Sequence, residues 1–176
     1  MTTYTLRSAR ADELQQAISI DDAAGLLFAQ AGLPIDLAND HPFVVAERAR
    51  WRSAIDQGQL WFACDRDAEP VGFSALGRAG ALAYLEQLAV RPEHGRRGVG
   101  KMLLDAASQH ALQSGDSLLW LTTYAHLAWN KPYYERHGFV VVPESRCSPE
   151  LRALLAEQRD TLPAPSERIA MVRELG

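Results

Sequence analysis

Long hydrophobic runs are missing from this 176-residue sequence, and so is an excess of basic residues. No apolar stretch approaches the ~18 residues of a membrane-spanning helix, and residues 1–13 lack the hydrophobic region of a signal peptide. The formal net charge is −4 and the pI is near 5.7, which disfavours a general nucleic-acid-binding protein because such proteins carry a basic surface. We therefore expect a cytoplasmic protein with neither a membrane nor a nucleic acid as its partner.

Cysteine is scarce as well. Cys64 and Cys147 lie far apart in the chain and show no metal-ligand spacing, which leaves a disulfide open but favours reduced thiols. Three histidines, His94, His126 and His137, lack the i, i+4 spacing and the carboxylate arrangement of a known metal site. No metal is therefore expected.

Repeats, low-complexity segments and evident linkers are also missing, and the length suits a single domain over residues 1–176. Apolar periodicity predicts strands at residues 4–9, 59–65, 68–78, 84–90, 117–124, 139–142 and 168–175. It predicts helices from a cap at Asp12 to Phe28 with a break near Asp21 and Asp22, then at 44–56, at 101–107, between Asn130 and Gly138, and at 148–160. The three strands between residues 59 and 90 should form a meander.

A glycine-rich basic turn joins the strand at 84–90 to the helix that follows it. Gly98 and Gly100 stand where that helix begins, so backbone N–H groups without intrahelical partners and the positive end of the macrodipole meet there. Such a place binds phosphate. The turn also carries Arg96, Arg97 and Lys101. Their positive charge is unfavourable beside the positive end of the helix dipole, which indicates that they bind an anionic ligand. The alternative is an ordinary turn with a solvated basic face.

Two other phosphate-binding motifs can be compared with the same residues. Gly95 to Lys101 fits the first part of a P-loop, but Met102 stands where a Ser or Thr must bind magnesium. The dinucleotide fingerprint fails as well, because Leu103 replaces its third glycine. Neither motif is complete.

The stretch LAVRPEHGRRGVGKMLL resembles the acetyl-CoA-binding motif of the GNAT family of N-acetyltransferases. That loop has Arg or Gln, two residues, Gly, one residue, and Gly or Ala; Gly98 and Gly100 match it, whereas Gly95 departs from it at the first position. A second stretch resembles the family's recurring Asn followed by Tyr-x-x-x-Gly-Phe, with Asn130 and then residues 134–139. The resemblance covers about residues 59–142.

The resemblance implies an α/β fold with a mixed, mostly antiparallel sheet flanked by helices. It also implies an acetyl-CoA-dependent N-acetyltransferase, with acetyl-CoA as co-substrate and a primary amine of a small molecule or a protein as acceptor. The residues that it assigns to the pyrophosphate are Arg96, Arg97, Gly98, Val99, Gly100 and Lys101. It assigns the backbone N–H groups of Leu88, Ala89 and Val90 to the oxyanion and the pantetheine arm.

Transfer to an amine also needs a base, because an alkyl amine with a pKa of about 10.4 is mostly protonated at pH 7. Glu86 is the candidate by reach and chemistry, with a structural strand glutamate as the alternative. Tyr84 should share its face, together with Leu88 and Val90, and aligns with the family's best-known glutamate position. The base could therefore be Glu86, Tyr84 or water.

The departing thiolate needs an acid. Tyr134 is the candidate by its position in the motif, and a packed core tyrosine is the alternative. Asn130 is either a ligand of the pantetheine or a plain helix cap. At the level of the whole protein, a catalytically silent acyl-CoA-binding module and a P-loop-like nucleotide-binding protein remain alternatives, and the acceptor and the oligomeric state stay open.

Overall fold

The computed structural model describes residues 3–176. Within them the strands are β1 Thr5–Ser8, β2 Leu60–Cys64, β3 Pro70–Ala79, β4 Leu82–Val90, β5 Leu118–Tyr124, β6 Val140–Val142 and β7 Arg168–Glu174. The helices are α1 Leu14–Gln30, α2 Pro42–Asp56, α3 Val99–Gln113, α4 Lys131–Arg136 and α5 Pro149–Thr161. The sequence therefore predicted each of these elements, with shifted ends.

The strands of the described chain form one seven-stranded sheet in the order β1-β2-β3-β4-β5-β7-β6. β1–β2, β2–β3, β5–β7 and β6–β7 pair antiparallel. β4 and β5 pair in parallel through Ala83 and Tyr84, opposite Leu119 and Trp120. The predicted fold class, a mixed and mostly antiparallel sheet flanked by helices, is confirmed.

Two compact units make up the chain. The first runs to Gly77 and continues over Leu85–His110, and the second comprises Arg78–Tyr84 and Ala111–Gly176. One domain over residues 1–176 stays a prediction.

In the first unit, α1 and α2 cover one face of β2 and β3. The buried residues of this core are Ala17, Ile20, Trp51, Ala54, Ile55, Leu60, Phe62, Cys64, Phe73, Ala75 and Ala89. Trp51 and Phe73 meet edge to face with their ring centroids 5.2 Å apart, a favourable aromatic geometry. This core fixes the two helices against the sheet beside β4.

The beginning and the middle of α1 differ from the prediction. The helix starts after Glu13, so the predicted cap at Asp12 is wrong. The Glu13 carboxylate instead accepts hydrogen bonds from the Arg7 guanidinium and from the Arg10 N–H, each at 2.8 Å. The helix also continues through Asp21 without the predicted break, since the Asp21 carboxylate binds the Gln87 side chain and does not compete with the helix backbone.

In the second unit, α5 packs on β5 and β7 around buried Trp120, Leu151, Leu155 and Ala170. Ser148 caps α5, with its hydroxyl accepting the Leu151 N–H at 3.2 Å. Cys147 has a free, buried thiol here, and Cys64 has one in the first unit, which agrees with the expectation of reduced cysteines.

Two kinds of structural feature are absent from the described chain. Over residues 3–176, no helix has both the length and the apolar character that crossing a bilayer requires. The same residues contain no group of three or more His, Cys, Asp or Glu side chains arranged to hold a metal ion.

Candidate active site

The glycine-rich loop of the first unit forms an open turn before α3. Arg96 has a φ of +59° and Gly98 a φ of +84°, so the chain turns sharply before α3 begins at Val99. A Cβ placed on Gly98 would meet no atom within 4 Å. The Met102 N–H donates to the Gly98 carbonyl at 3.1 Å, and the N–H groups of the first helical turn before it have no intrahelical acceptor.

The basic residues of the loop differ in their surroundings. Arg96 and Arg97 are exposed on the turn. Lys101 forms an i, i+4 ion pair with Asp105 on the helix surface, with 2.5 Å between Nζ and Oδ2. The donor set of this loop, backbone N–H groups beside two exposed guanidinium groups, fits a pyrophosphate.

The contacts of Glu86, Gln87 and Ala89 indicate a bulge in β4 at Glu86 and Gln87. A Cβ on Gly77 would lie 2.6 Å from Glu86 Oε1, which places Glu86 on the face of β3 that carries Phe73 and Ala75. Ala89 packs in the core with those two residues, although a regular strand would put positions three apart on opposite faces. Gln87 also reaches α1 on this face, so two consecutive side chains point the same way.

The bulge corrects the predicted face of the strand. Glu86 was expected to share a face with Leu88 and Val90. Ala89 lies in the core with residues of α1 and α2, so its neighbours Leu88 and Val90 point away from these helices. Bulges of this kind commonly re-aim side chains beside active sites.

The backbone N–H groups after the bulge alternate between the two edges of β4. The Arg91 N–H donates to the Val71 carbonyl of β3 at 2.8 Å, so the Ala89 N–H also faces β3, and those of Leu88 and Val90 face the other edge. Of the three N–H groups predicted for the oxyanion and the pantetheine, Ala89 is therefore directed into the sheet. The role of the Leu88 and Val90 N–H groups stays a prediction.

Glu86 is held by an arginine that sequence reasoning missed. Its carboxylate accepts a hydrogen bond from Arg50 Nε of α2 at 2.9 Å, and its side chain is only 4% exposed. Burial raises the pKa of Glu86, and the positive charge of Arg50 opposes that rise. The result is a buried carboxyl group whose pKa is shifted from its usual value toward neutral pH.

Asp21 and Gln87 form a second polar pair that the sequence analysis missed. Gln87 Nε2 donates to Asp21 Oδ1 at 2.9 Å, and Gln87 Oε1 accepts the Leu88 N–H at 3.0 Å. Burial, with Glu47 and Asp22 adding negative charge, raises the pKa of Asp21 to about 8. The sequence held one signal for this pair: Asp21 follows Ala17 by one helical turn and therefore lies on the buried side of α1.

In the second unit, Tyr134 lies on α4 with a buried side chain. Its ring packs against Tyr133 and Phe139, with centroids 5.3 and 5.6 Å away. Burial raises the pKa of Tyr134 well above its ordinary value, and Arg168 opposes this. The hydroxyl therefore keeps its proton at neutral pH.

Asn130 precedes α4 but its side chain does not cap the helix. Its Oδ1 instead accepts a hydrogen bond from Thr123 Oγ1 at 2.5 Å. Its Nδ2 is buried and has no hydrogen-bond partner among the described residues. The capping interpretation of the side chain is thus wrong, and an unsatisfied buried donor fits a ligand carbonyl.

Tyr84 belongs to a buried polar network of the second unit. Its hydroxyl shares a hydrogen bond with Thr122 Oγ1 at 2.6 Å and accepts one from Gln158 Nε2 at 3.4 Å. Arg168 donates to both Thr122 and Gln158. The phenol is therefore tied into a structural network, which weakens its case as a base.

The histidines lie in structural contacts. His94 shares a hydrogen bond with the Tyr4 hydroxyl at 2.9 Å. His126 lies 3.6 Å from a Glu167 oxygen, and the ring of His137 is 4.6 Å from that of Tyr133.

The chain is an α/β protein with an open, glycine-rich turn at the start of α3. A sequence model of the acetyltransferase (GNAT) family matches residues 30–139, which is more than half of the chain. This chain belongs to that family, which replaces the P-loop interpretation.

Relatives and solved structures agree with this assignment. The uncharacterized N-acetyltransferase YafP of Escherichia coli K12 is 33% identical over 100 residues, which are 57% of this chain and 58% of YafP. N-acetylglutamate synthase of Neisseria gonorrhoeae, solved with coenzyme A and N-acetyl-glutamate, has a TM-score of 0.69 at 17% identity, over 100% of this chain and 36% of that chain. The PaiA N-acetyltransferase of Thermoplasma acidophilum, solved with coenzyme A, has a TM-score of 0.67 at 16% identity, over 98% of this chain and 99% of that one. At these identities the two structures establish the fold.

The predicted site residues fall into two sets. Glu86, Leu88 to Val90 and the loop from Arg96 to Lys101 belong to the first unit, whereas Asn130 and Tyr134 belong to the second. Within the first set, the chain leaves β4 at Val90 and reaches the loop through the short helical turn Pro92–His94. Within the second, the Tyr134 N–H donates to the Asn130 carbonyl at 2.9 Å, so Asn130 lies one turn before Tyr134, directly ahead of α4.

Proposed function

We propose that this protein is an acetyl-CoA-dependent N-acetyltransferase whose acceptor is a primary amine of a small molecule or a protein. The observation that carries the proposal is the open turn at Gly98, which presents unpaired helix N–H groups beside two exposed arginines, inside the region matched by the family. Coenzyme A in two structures of the same fold supports it. The cytoplasmic location stays a prediction.

Acetyl-CoA would supply an activated acetyl thioester. The N–H groups of Val99, Gly100 and Lys101 would hold its pyrophosphate, with Arg96 and Arg97 neutralising charge. The Val90 N–H would bind the pantetheine arm, and the Leu88 N–H would bind the thioester carbonyl. Asn130 Nδ2 would donate to a pantetheine carbonyl, which satisfies its unpaired donor.

Glu86 would accept the proton of the acceptor amine, directly or through one water. A carboxylate whose pKa is raised by burial is a stronger base than an exposed one, and the positive charge of Arg50 favours its ionised form. Tyr134 would give a proton to the departing sulfur. Its raised pKa keeps the phenol protonated at neutral pH and also makes it a weaker acid toward the thiolate.

One observation favours the silent acyl-CoA-binding module as a second candidate. Glu86 is ion-paired with Arg50 and is almost fully buried, as a purely structural carboxylate would also be. This candidate predicts coenzyme A binding without turnover.

Ligand-induced stabilisation and acetyl transfer test the proposal together. Acetyl-CoA should raise the melting temperature and ATP with magnesium should not, because ligand binding to the native state stabilises it by mass action. Gly98→Glu should fold normally and lose this shift, since a carboxylate would occupy the phosphate position. Gly115→Glu, at another glycine with positive φ and open space around it, serves as the matched control.

A panel of amine acceptors should then release free coenzyme A thiol. An equal shift with ATP and magnesium would reject coenzyme A as the ligand. A shift with acetyl-CoA but no thiol release with any amine would favour the silent module.

A further inference from the structure

The Gln87 side chain accepts the hydrogen bond of a backbone N–H group that the proposed reaction needs. The Leu88 N–H faces the edge of β4 away from β3, and Gln87 Oε1 already accepts its hydrogen bond at 3.0 Å. An amide oxygen and a thioester carbonyl oxygen are both acceptors that suit a backbone N–H. The Gln87 side chain therefore stands where the thioester carbonyl of acetyl-CoA would bind.

The carboxamide of Gln87 is held at both ends. Its Nε2 donates to Asp21 Oδ1 at 2.9 Å, and Asp21 is anchored on the continuous helix α1. A backbone N–H can only donate a hydrogen bond, so the contact with Leu88 fixes the amide with its oxygen toward Leu88 and its NH₂ group toward Asp21. The oxygen end is thereby directed at Leu88.

The bulge at Glu86 and Gln87 makes the arrangement possible. A regular strand would place the two side chains on opposite faces, and Gln87 would point away from α1. Since both point toward the helices, Gln87 can reach Asp21 and also fold back onto the N–H of the next residue.

We propose that Gln87 is a specificity residue that competes with the thioester carbonyl of acetyl-CoA for the Leu88 N–H, and that Asp21 is the positioning residue that holds it there. The proposal rests on the proposed function. Free coenzyme A has a thiol in place of the thioester and brings no carbonyl to Leu88. Gln87 therefore weakens the binding of acetyl-CoA and leaves that of coenzyme A unchanged, which lowers the preference for the acylated form.

Calorimetric titration of acetyl-CoA and of coenzyme A into the same protein tests this without turnover. Gln87→Met keeps the length of the side chain and removes its oxygen. It should tighten acetyl-CoA binding about 2- to 10-fold, the range of one neutral hydrogen bond, and leave coenzyme A binding unchanged. Asp21→Ala should shift the ratio of the two dissociation constants in the same direction by a smaller factor, because Gln87 then loses its anchor and keeps its oxygen.

The control is Gln57→Ala, which removes an exposed glutamine that bonds Ser53, one turn earlier at the end of α2. It should change neither constant. If Gln87→Met fails to give a cooperative melting transition, Gln87→Ala replaces it with the same expectation.

Three results would decide against the proposal. An unchanged ratio in the Gln87 variant, or equal tightening of both ligands, overturns the competition at Leu88 and leaves the proposed function intact. Weaker binding of acetyl-CoA alone in that variant also overturns it, since Gln87 would then assist the thioester. Failure of the unmodified protein to bind either ligand would instead overturn the proposed function, and this inference with it.

Discussion

Glu86 in the first unit and Tyr134 in the second are both buried, and burial raises the pKa of both, with different consequences for proton transfer. For the carboxyl, the rise moves the pKa toward neutral pH, while the charge of Arg50 favours the ionised form. For the phenol, the rise moves the pKa further from neutral pH, so the proton stays on oxygen. The same desolvation thus makes the carboxylate a stronger base and the phenol a weaker acid.

The carboxylates of the first unit show that an arginine partner alone does not set the direction of a pKa shift. The hydrogen bonds from Arg7 lower the pKa of Glu13 to about 2, against the opposing effect of burial. Glu86 also has an arginine partner, but burial prevails there. Glu13 is surrounded by two guanidinium nitrogens of Arg7, a guanidinium nitrogen of Arg10 at 3.0 Å and a backbone N–H. Arg50 offers Glu86 a single donor, which does not outweigh the desolvation of that carboxylate.

The largest expected effect comes from removing the proton donor. Tyr134→Phe keeps the ring and deletes one oxygen, so turnover should fall about 10²-fold or more while coenzyme A affinity and melting temperature barely change. A packed core tyrosine would instead lose roughly 1 kcal/mol of stability and little rate. Tyr124→Phe is a matched control, because its hydroxyl donates to the Pro163 carbonyl and has no role in the proposed reaction. Normal turnover with both substrates saturating would remove Tyr134 from the reaction.

Removing the proton acceptor should have a similar or slightly smaller effect. Glu86→Gln should lower turnover about 10²-fold at neutral pH, within the range of a general base. The rate should then rise with the neutral fraction of the acceptor amine, which shifts the rising limb of the pH profile toward alkaline pH. A neutral-pH rate equal to that of the unmodified protein would return Glu86 to a structural role.

Changing only the charge beside the base should give a smaller effect that depends on pH. Arg50→Met removes the cation that favours the ionised form, so the pKa of Glu86 should rise and the rising limb should move to higher pH. Turnover should drop about tenfold at low pH for each pKa unit gained and recover at high pH. Arg52→Met, two residues further along α2, should leave the limb in place, because its guanidinium bonds the Ala11 carbonyl. A loss that is equal at every pH would show that Arg50 serves folding only.

The smallest effect on activity is expected at Glu13, which should affect stability alone. Its pKa is lowered from 4.5 to about 2, so its contribution is present above pH 4.5 and is lost as the pH falls toward 2. Glu13→Gln should cost about 2 kcal/mol at pH 7 and flatten the acid limb of the stability curve, measured by denaturant unfolding. Asp12→Asn, at an exposed neighbour, is the control. An acid limb as steep as that of the unmodified protein would contradict the assignment.

Local patterns in the sequence predicted much of the fold and part of the site. The strands, the helices and the glycine loop follow from apolar spacing, caps and turns, which depend on neighbouring residues. The bulge at Glu86, the Arg50 ion pair and the contact of Asp21 with Gln87 were missed, because each joins residues on different elements. The predicted helix break at Asp21 failed for the same reason, since its polar partner lies 66 positions away in the chain.

The two cysteines bear on how acetyl transfer can be measured. Both thiols are buried, and burial raises the pKa of Cys64 and of Cys147, so each holds little thiolate at neutral pH. Aromatic disulfide reagents release a coloured thiol when a thiolate attacks them, and the attack needs access to the sulfur. The cysteines of the folded protein should therefore react with them slowly. The chromogenic signal of an assay for liberated coenzyme A should therefore have a low background from the enzyme itself, even at high protein concentration with a sluggish acceptor.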